Sequence, residues 1–270
     1  MRICLLLFLA LACGRFSSVA EEKGPAQSPA DAPEETEKDE AGPAIKLTPE
    51  AEAALAKLKM PGVDLNLEER SVDVEATVCL HEGLLELVAC TKGTKEHESI
   101  VAIDARPRHV HTALLLLGAK SGNPAMRRQI GEPGDERWVD IPPRGGDVRV
   151  FFVYKGKDGK TVERPISDFI SPADKDLPGF VGEEVDEDDE FPTHTFLFAG
   201  SMLHGEGEGP RTYLSDVSGN VITIATFGDE MLCLPGIHSH EKGALMWQVD
   251  PAHDLPAVGE KVLLRLRPGK

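Results

Sequence analysis

The sequence predicts an α+β fold: a mainly antiparallel twisted sheet with one buried helix and short accessory helices. Segments in which apolar and polar residues alternate recur along the chain, and such a period of two is typical of strands. Only one apolar segment between them carries the start and stop signals of a buried helix. There is no regular strand–helix–strand alternation, which disfavours a parallel sheet.

The first strands are expected at residues 63–67 and 72–78, where one face is apolar and the other polar. A turn at His81-Glu82-Gly83 is expected to lead into another strand, Leu84–Cys90. Later segments share the strand pattern or an apolar composition, and we predict strands at 100–103, 148–154, 161–164, 196–198, 212–214, 221–227 and 261–267.

One helix is expected to pack on the sheet. Pro107 suits the first helical position, the apolar run continues to Leu117, and Gly118 is a natural stop. A shorter accessory helix is expected to begin at Thr48, whose hydroxyl suits the N-cap before Pro49.

The first twenty residues predict a signal peptide. Arg2 provides a positive start, and residues 3–12 form an apolar run of ten residues. That run is shorter than the ~20 residues that a transmembrane helix needs. Ser18-Val19-Ala20 presents small side chains before Glu21, as signal peptidase requires.

The same segment has a second interpretation, a lipoprotein signal. Residues 9–13 (LALAC) loosely fit a lipoprotein box, and cleavage there would leave Cys13 as a lipid-anchored N-terminus. Both interpretations place the mature protein outside the cytoplasm, either periplasmic or secreted. No later segment is long and apolar enough to predict a transmembrane helix.

The net charge of −17 is concentrated in two segments. Residues 21–41 contain eight acidic residues and two lysines, and residues 183–190 contain seven acidic residues and no base. Residues 21–45 therefore predict a disordered acidic tether. Residues 46–270 are expected to form a single globular domain with an acidic loop at 183–190. Because this domain has no basic stripe, nucleic acid is not an expected partner.

After Ala20 the chain has three cysteines, Cys79, Cys90 and Cys233. An odd number excludes a disulfide scaffold, and the absence of any CxxC motif disfavours zinc or thioredoxin-like chemistry. If the turn after Cys79 is tight, Cys79 and Cys90 do not oppose each other across the strands. We therefore expect buried, inert thiols.

No catalytic signature is complete. His81-Glu82 and His97-Glu98 begin like the HExxH zinc motif but lack the second histidine. Ser201 lacks the flanking glycines of a nucleophile elbow. The glycine-rich segment 205–210 carries two glutamates, and a proline stands where a phosphate-binding helix should begin. The sequence therefore favours a non-catalytic protein and names no cofactor.

The strongest candidate site is the polar loop between Cys90 and Ile100. A lysine, a histidine, two carboxylates and hydroxyls lie close together there, between two apolar strands. His238 and His240 form a second candidate, because residues two apart in an extended segment project to one side. We predict a metal site of His97, Glu98, His238 and His240 if the two loops meet, with Cys90 as an alternative thiolate ligand.

Several segments resemble the YdjY-domain family of exported bacterial proteins: CLHEGLLELVAC, GTKEHESIVAIDARP, HVHTALLLLGAK, FLFAGSM, TYLSDVSGNVITIATF and LCLP. The resemblance covers roughly residues 63–267 and implies that both halves of the chain form one domain. It implies no reaction. Lys95, Glu96, His97 and Glu98 fall on the family's motif, whereas the segment His238–His240 does not.

Two hypotheses of function follow. The first is an extracytoplasmic, non-catalytic binding or envelope-interaction module that recognises an unknown envelope partner or small ligand. The second is a metal-dependent or redox accessory protein that uses the His/Glu loop.

Overall fold

The computed structural model describes residues 48, 55, 57–132, 134–174, 191, 193–205, 207, 209–238 and 245–269. The signal segment, the tether, the acidic loop 183–190, His240 and most of the helix expected from Thr48 lie outside these residues. The described strands are β1 (Val63–Asn66), β2 (Ser71–Val78), β3 (Leu87–Thr91), β4 (Ser99–Ile103), β5 (Met126–Ile130), β6 (Arg137–Ile141), β7 (Asp147–Lys155), β8 (Thr161–Pro165), β9 (Ile170–Pro172), β10 (Thr195–Leu197), β11 (Leu203–His204), β12 (Thr212–Tyr213), β13 (Asn220–Thr223), β14 (Leu232–Cys233), β15 (Trp247–Val249) and β16 (Lys261–Pro268).

Eight of these strands close into a barrel, in the order β2–β16–β7–β10–β14–β13–β3–β4. Closure comes from β4, which pairs with β3 on one edge and with β2 on the other, where Val78 lies opposite Val101. Most pairs are antiparallel, but β3–β4 and β13–β14 are parallel. Strands β1 and β8 extend the sheet outside the ring.

The predicted α+β class is therefore wrong, because the protein is mostly β and its sheet is closed rather than open. The alternating pattern shows that each strand has one buried face, and this is equally true of an open sheet and of a barrel. Closure depends on β4 meeting β2, which local periodicity does not report.

The barrel interior is filled by the inward side chains of its strands, including Val74, Phe152, Phe196 and Leu264, none of which is exposed. Most side chains of this core are aliphatic, as expected for a chain in which only 5% of the residues are aromatic.

The predicted helix is confirmed as α1 (Pro107–Leu116), which begins at its proline and is followed by Leu117 and Gly118. It packs on β1 and β2 through Val110, Ala113 and Leu114. A second helix, α2 (Ser215–Ser218), is a single turn. Of the helices described, none is long and apolar enough to cross a bilayer.

His111, on α1, is held between the helix and the barrel. Its Nδ1 lies 2.9 Å from the Tyr213 hydroxyl, which donates to the Gly200 carbonyl, and its ring packs edge-on against Phe198. Burial lowers the pKa of His111, although the Gly200 backbone contact opposes this.

We expect the stability contributed by His111 to depend on pH. Since its pKa is lowered by folding, the unfolded chain binds the proton more readily, and stability falls as pH drops below the unfolded value of ~6.5. His111→Gln should therefore cost less free energy of unfolding at pH 5 than at pH 7.5, measured by urea denaturation. His204→Gln, the same change at an exposed position on β11, is the control. An equal cost of His111→Gln at the two pH values would contradict this assignment.

The connection between β3 and β4 positions the candidate site. Neighbouring parallel strands usually need a crossover of about a dozen residues or more, but only residues 92–98 join β3 to β4. They contain a 3₁₀ turn, Glu96–Glu98, and no α-helix. We call residues 92–98 the crossover loop. It overlies a small apolar cluster of Leu87, Cys90 and Ala102 that is separate from the barrel core.

Candidate functional site

The crossover loop is fixed by its own hydrogen bonds. The Thr94 hydroxyl donates to the Thr91 carbonyl at 2.5 Å, and the Ser99 hydroxyl donates to the Lys95 carbonyl at 2.7 Å. The Glu98 N–H donates to the same Lys95 carbonyl at 3.2 Å. The loop is therefore a preformed element, so its outward side chains are held in defined positions.

Lys95 lies at the centre of a half-buried charged cluster on this loop. Its Nζ is 3.2 Å from a Glu98 carboxylate oxygen, 3.9 Å from a Glu86 oxygen and 3.6 Å from the centre of the Phe227 ring. The side chains of Lys95, Glu98 and Glu86 are 24%, 19% and 12% exposed. Partial burial strengthens both the ion pairs and the cation–π contact. We call Glu86, Lys95, Glu98 and Phe227 the Lys95 cluster.

The sequence predicted the loop that carries Lys95 and Glu98, but not the other two members of the cluster. Glu86 precedes β3, and its N–H donates to the Glu98 carbonyl at 3.1 Å. Phe227 lies more than a hundred residues away along the chain. Their approach depends on the pairing of β3 with both β4 and β13, which no local pattern indicated.

The predicted metal ligands are only partly brought together. His97 is 78% exposed, and its Nε2 lies 3.6 Å from a Glu98 oxygen. The Nε2 of His238 contacts the Pro235 carbonyl at 2.8 Å, and His240 lies outside the described residues. Across the described ranges, no three His, Cys, Asp or Glu side chains are grouped so that they could hold a metal ion. The four-residue site stays a prediction.

Two thiols, those of Cys79 and Cys90, lie near the crossover loop. Cys79 is partly buried, and its Sγ donates to the Ser99 carbonyl at 3.1 Å; Cys90 is fully buried. Cys79 packs against the small apolar cluster that contains Cys90. The predicted hairpin that would separate them is absent, because β2 and β3 are not neighbours and β4 runs between them.

The environment of Cys90 favours its thiolate. The neighbouring Cys79 thiol has the largest effect and lowers the pKa of Cys90 to about 6, against the opposing effect of burial. The neighbouring Cys90 thiol and burial raise the pKa of Cys79. By contrast, burial raises the pKa of Cys233 to about 12. The prediction that the thiols are buried is confirmed for Cys90 and Cys233, and Cys79 is partly buried. That they are inert stays a prediction.

An apolar pocket of about 220 Å³ lies near the Lys95 cluster. Among its lining residues are Leu85, Ile224 and Trp247, and His238 adds a polar edge. Residues 224–227 join the pocket to the cluster, because Ile224 and Ala225 line the pocket and Phe227 contacts Lys95. The N–H of residue 225 also donates to the Glu86 carbonyl at 3.0 Å.

A family model described as the YdjY domain matches residues 63–267. No curated protein and no solved structure matches the chain. The matched range contains the crossover loop, the Lys95 cluster, both thiols and the described lining of the pocket.

Proposed function

The chain belongs to the YdjY domain family, and from this premise we propose that it is an extracytoplasmic, non-catalytic binding module. The observation that carries the proposal is the half-buried Lys95 cluster, held by a rigid loop beside an apolar pocket. Ligand sites commonly combine an apolar cavity with a few polar groups that fix the orientation of the ligand. The signal-peptide pattern of residues 1–20 supports the extracytoplasmic location.

The charges of the cluster indicate the ligand's chemistry. Two carboxylates, Glu86 and Glu98, face one ammonium group, that of Lys95, so the cluster has an excess negative charge. A ligand with an apolar part and an amine would fill the pocket and approach the carboxylates. A free amine and a lysine side chain on an envelope partner present the same chemistry.

The state of Ser201 supports a non-catalytic function. Its hydroxyl donates to the Asp229 carbonyl at 2.6 Å and accepts the Ser215 N–H at 3.1 Å. Both contacts are to backbone groups, so this hydroxyl serves to hold loops together rather than to act as an activated nucleophile.

Hexylamine and hexanoate, which share an alkyl chain and differ in charge, test the proposal. We expect hexylamine to bind about threefold to tenfold more tightly, which corresponds to roughly 1 kcal/mol. In ¹⁵N-edited NMR titrations, the signals of Ala225 and the Trp247 indole should shift. Glu98→Gln should weaken hexylamine binding, whereas Glu82→Gln, a matched change at an exposed position, should not.

Two results would count against the proposal. One is equal affinity for the amine and the carboxylate, which would show that the charge of the cluster does not select the ligand. The other is that the NMR signals that shift on titration belong to residues far from residues 224–227 and Trp247.

A further inference from the structure

Strands β5 and β6 form a two-stranded ribbon outside the barrel. They pair with each other from Met126–Ile141 to Ile130–Arg137 and, among the described strands, with no other. The half-buried side chains of Ile130, Val139 and Ile141 do not belong to the described barrel core. A two-stranded hairpin that lacks a third strand or a supporting surface is only marginally stable in water. The ribbon is therefore incomplete as an isolated element.

The exposed side chains of the ribbon are of the types that protein interfaces favour. Trp138 is 60% exposed and Met126 is 38% exposed. Arg127, Arg128 and Arg137 are exposed as well. Tryptophan, methionine and arginine are enriched at protein–protein interfaces relative to the rest of the surface. The composition of the ribbon therefore suits an element that contacts a protein partner.

The two strands of the ribbon differ in charge. Strand β5 has two arginines and no acidic residue, whereas in β6 Arg137 is balanced by Asp140. Arg127 pairs with Asp140 at 2.9 Å, but both side chains are exposed, and such an ion pair contributes little to stability. Arg127 and Arg128 are adjacent in an extended strand, so their side chains project to opposite faces. A strand that adds to β5 would therefore meet one guanidinium group on each face.

We propose that the free edge of β5 binds an extended acidic segment of a protein partner, which becomes the third strand of the ribbon. The backbone groups of that edge hydrogen-bond to the added strand, and two consecutive acidic residues of the partner pair with Arg127 and Arg128. Apolar residues on either side of the acidic pair lie near Met126 and Ile130. The added strand covers the exposed edge and stabilises the ribbon. This inference does not depend on the amine site proposed above.

The distribution of charge in the ribbon favours a protein segment over a lipid surface. Residues 132–136, at the turn of the ribbon, include three acidic residues, which an anionic bilayer would repel. Trp138 lies opposite Gln129, so Trp138 and Arg128 project from opposite faces of the ribbon. A flat membrane can contact only one of these faces, whereas an added strand lies along the edge and contacts both.

The test compares two peptides, acetyl-Thr-Val-Thr-Glu-Glu-Val-Thr-amide and the same peptide with Lys-Lys in place of Glu-Glu, in NMR titrations of the full chain. We expect the acidic peptide to bind at least about tenfold more tightly, because two attractive charge pairs are replaced by two repulsive ones. With the acidic peptide bound, the N–H groups of residues 126–130 on the free edge should become protected from hydrogen exchange. Ion pairing without strand addition would leave that exchange unchanged.

Arg128→Gln should weaken binding of the acidic peptide by about threefold to tenfold. Arg211→Gln, the same change at an exposed arginine outside the ribbon, should leave it unchanged. The proposal would be overturned by equal binding of the two peptides, by unchanged hydrogen exchange in residues 126–130, or by equal effects of the two substitutions.

Three further results would identify a different occupant of the ribbon and would also overturn the proposal. Dimerisation that Arg128→Gln abolishes, measured by sedimentation, would identify a second copy of the chain. Binding to phosphatidylglycerol vesicles that the same substitution abolishes would identify a lipid surface. A marked gain in affinity for the acidic peptide on deletion of residues 183–190 would identify the acidic segment of the chain itself.

Discussion

Phe152→Ala is expected to lower the free energy of unfolding by about 3–5 kcal/mol. Phe152 is fully buried on β7 and points into the barrel, where its ring meets that of Phe169 edge-on at a centroid distance of 5.3 Å. Truncation leaves a cavity that a closed barrel has little freedom to fill, and it removes an aromatic pair worth ~1 kcal/mol beyond burial. Urea denaturation measures the loss.

The adjacent Phe151 is the matched control. It is almost as buried, but it lies on the outside of the barrel, where the Arg267 guanidinium covers its ring at 5.0 Å. Because Phe151→Ala opens space on the outer face of the barrel wall rather than a closed cavity inside it, we expect a smaller loss of about 1–2 kcal/mol. Equal losses for the two substitutions would contradict the assignment of the inner and outer faces of β7.

Leu87→Ala is expected to cost about 2–4 kcal/mol, because it opens a cavity in the small cluster beneath the crossover loop. The double change His97→Ala and Glu98→Ala should instead stay within ~0.5 kcal/mol of wild type. His97 is mostly exposed, and the Glu98 side chain makes ion pairs with Lys95 and His97, whereas the loop's backbone bonds remain. Thermal and urea unfolding measure the stability of both variants.

If the double variant loses as much free energy of unfolding as Leu87→Ala, His97 and Glu98 hold the barrel together. The polar motif would then be architectural. If stability is retained while hexylamine binding weakens, the same two side chains are held there for recognition.

The strands of the barrel wall were the most predictable part of the fold. Residues 72–78, 148–154 and 261–267 were expected as strands and lie within β2, β7 and β16. Their two-residue period is the direct result of one face lying against the core. Helix α1 was predictable for a similar local reason, since its proline and its following glycine mark both ends.

The candidate site was predictable only as a loop. Lys95, His97 and Glu98 are close together in the sequence, so their proximity could be predicted without knowledge of the fold. Phe227 was missed because its approach depends on the long-range pairing of β3 with β13. The placement of Cys79 and Cys90 on either side of β4 was missed because a hairpin was expected at His81-Glu82-Gly83, which would have made β2 and β3 neighbours. The structure places β4 between these strands, and that long-range insertion creates the site.

Strand β16 pairs with β2 along one edge and with β7 along the other, and it is the last described strand in chain order. Until residues 261–268 have been synthesised, β2 and β7 lack their shared neighbour and the ring cannot close. Closure of the barrel therefore depends on joining segments nearly two hundred residues apart, and pairing over such a sequence separation is a slow step in folding.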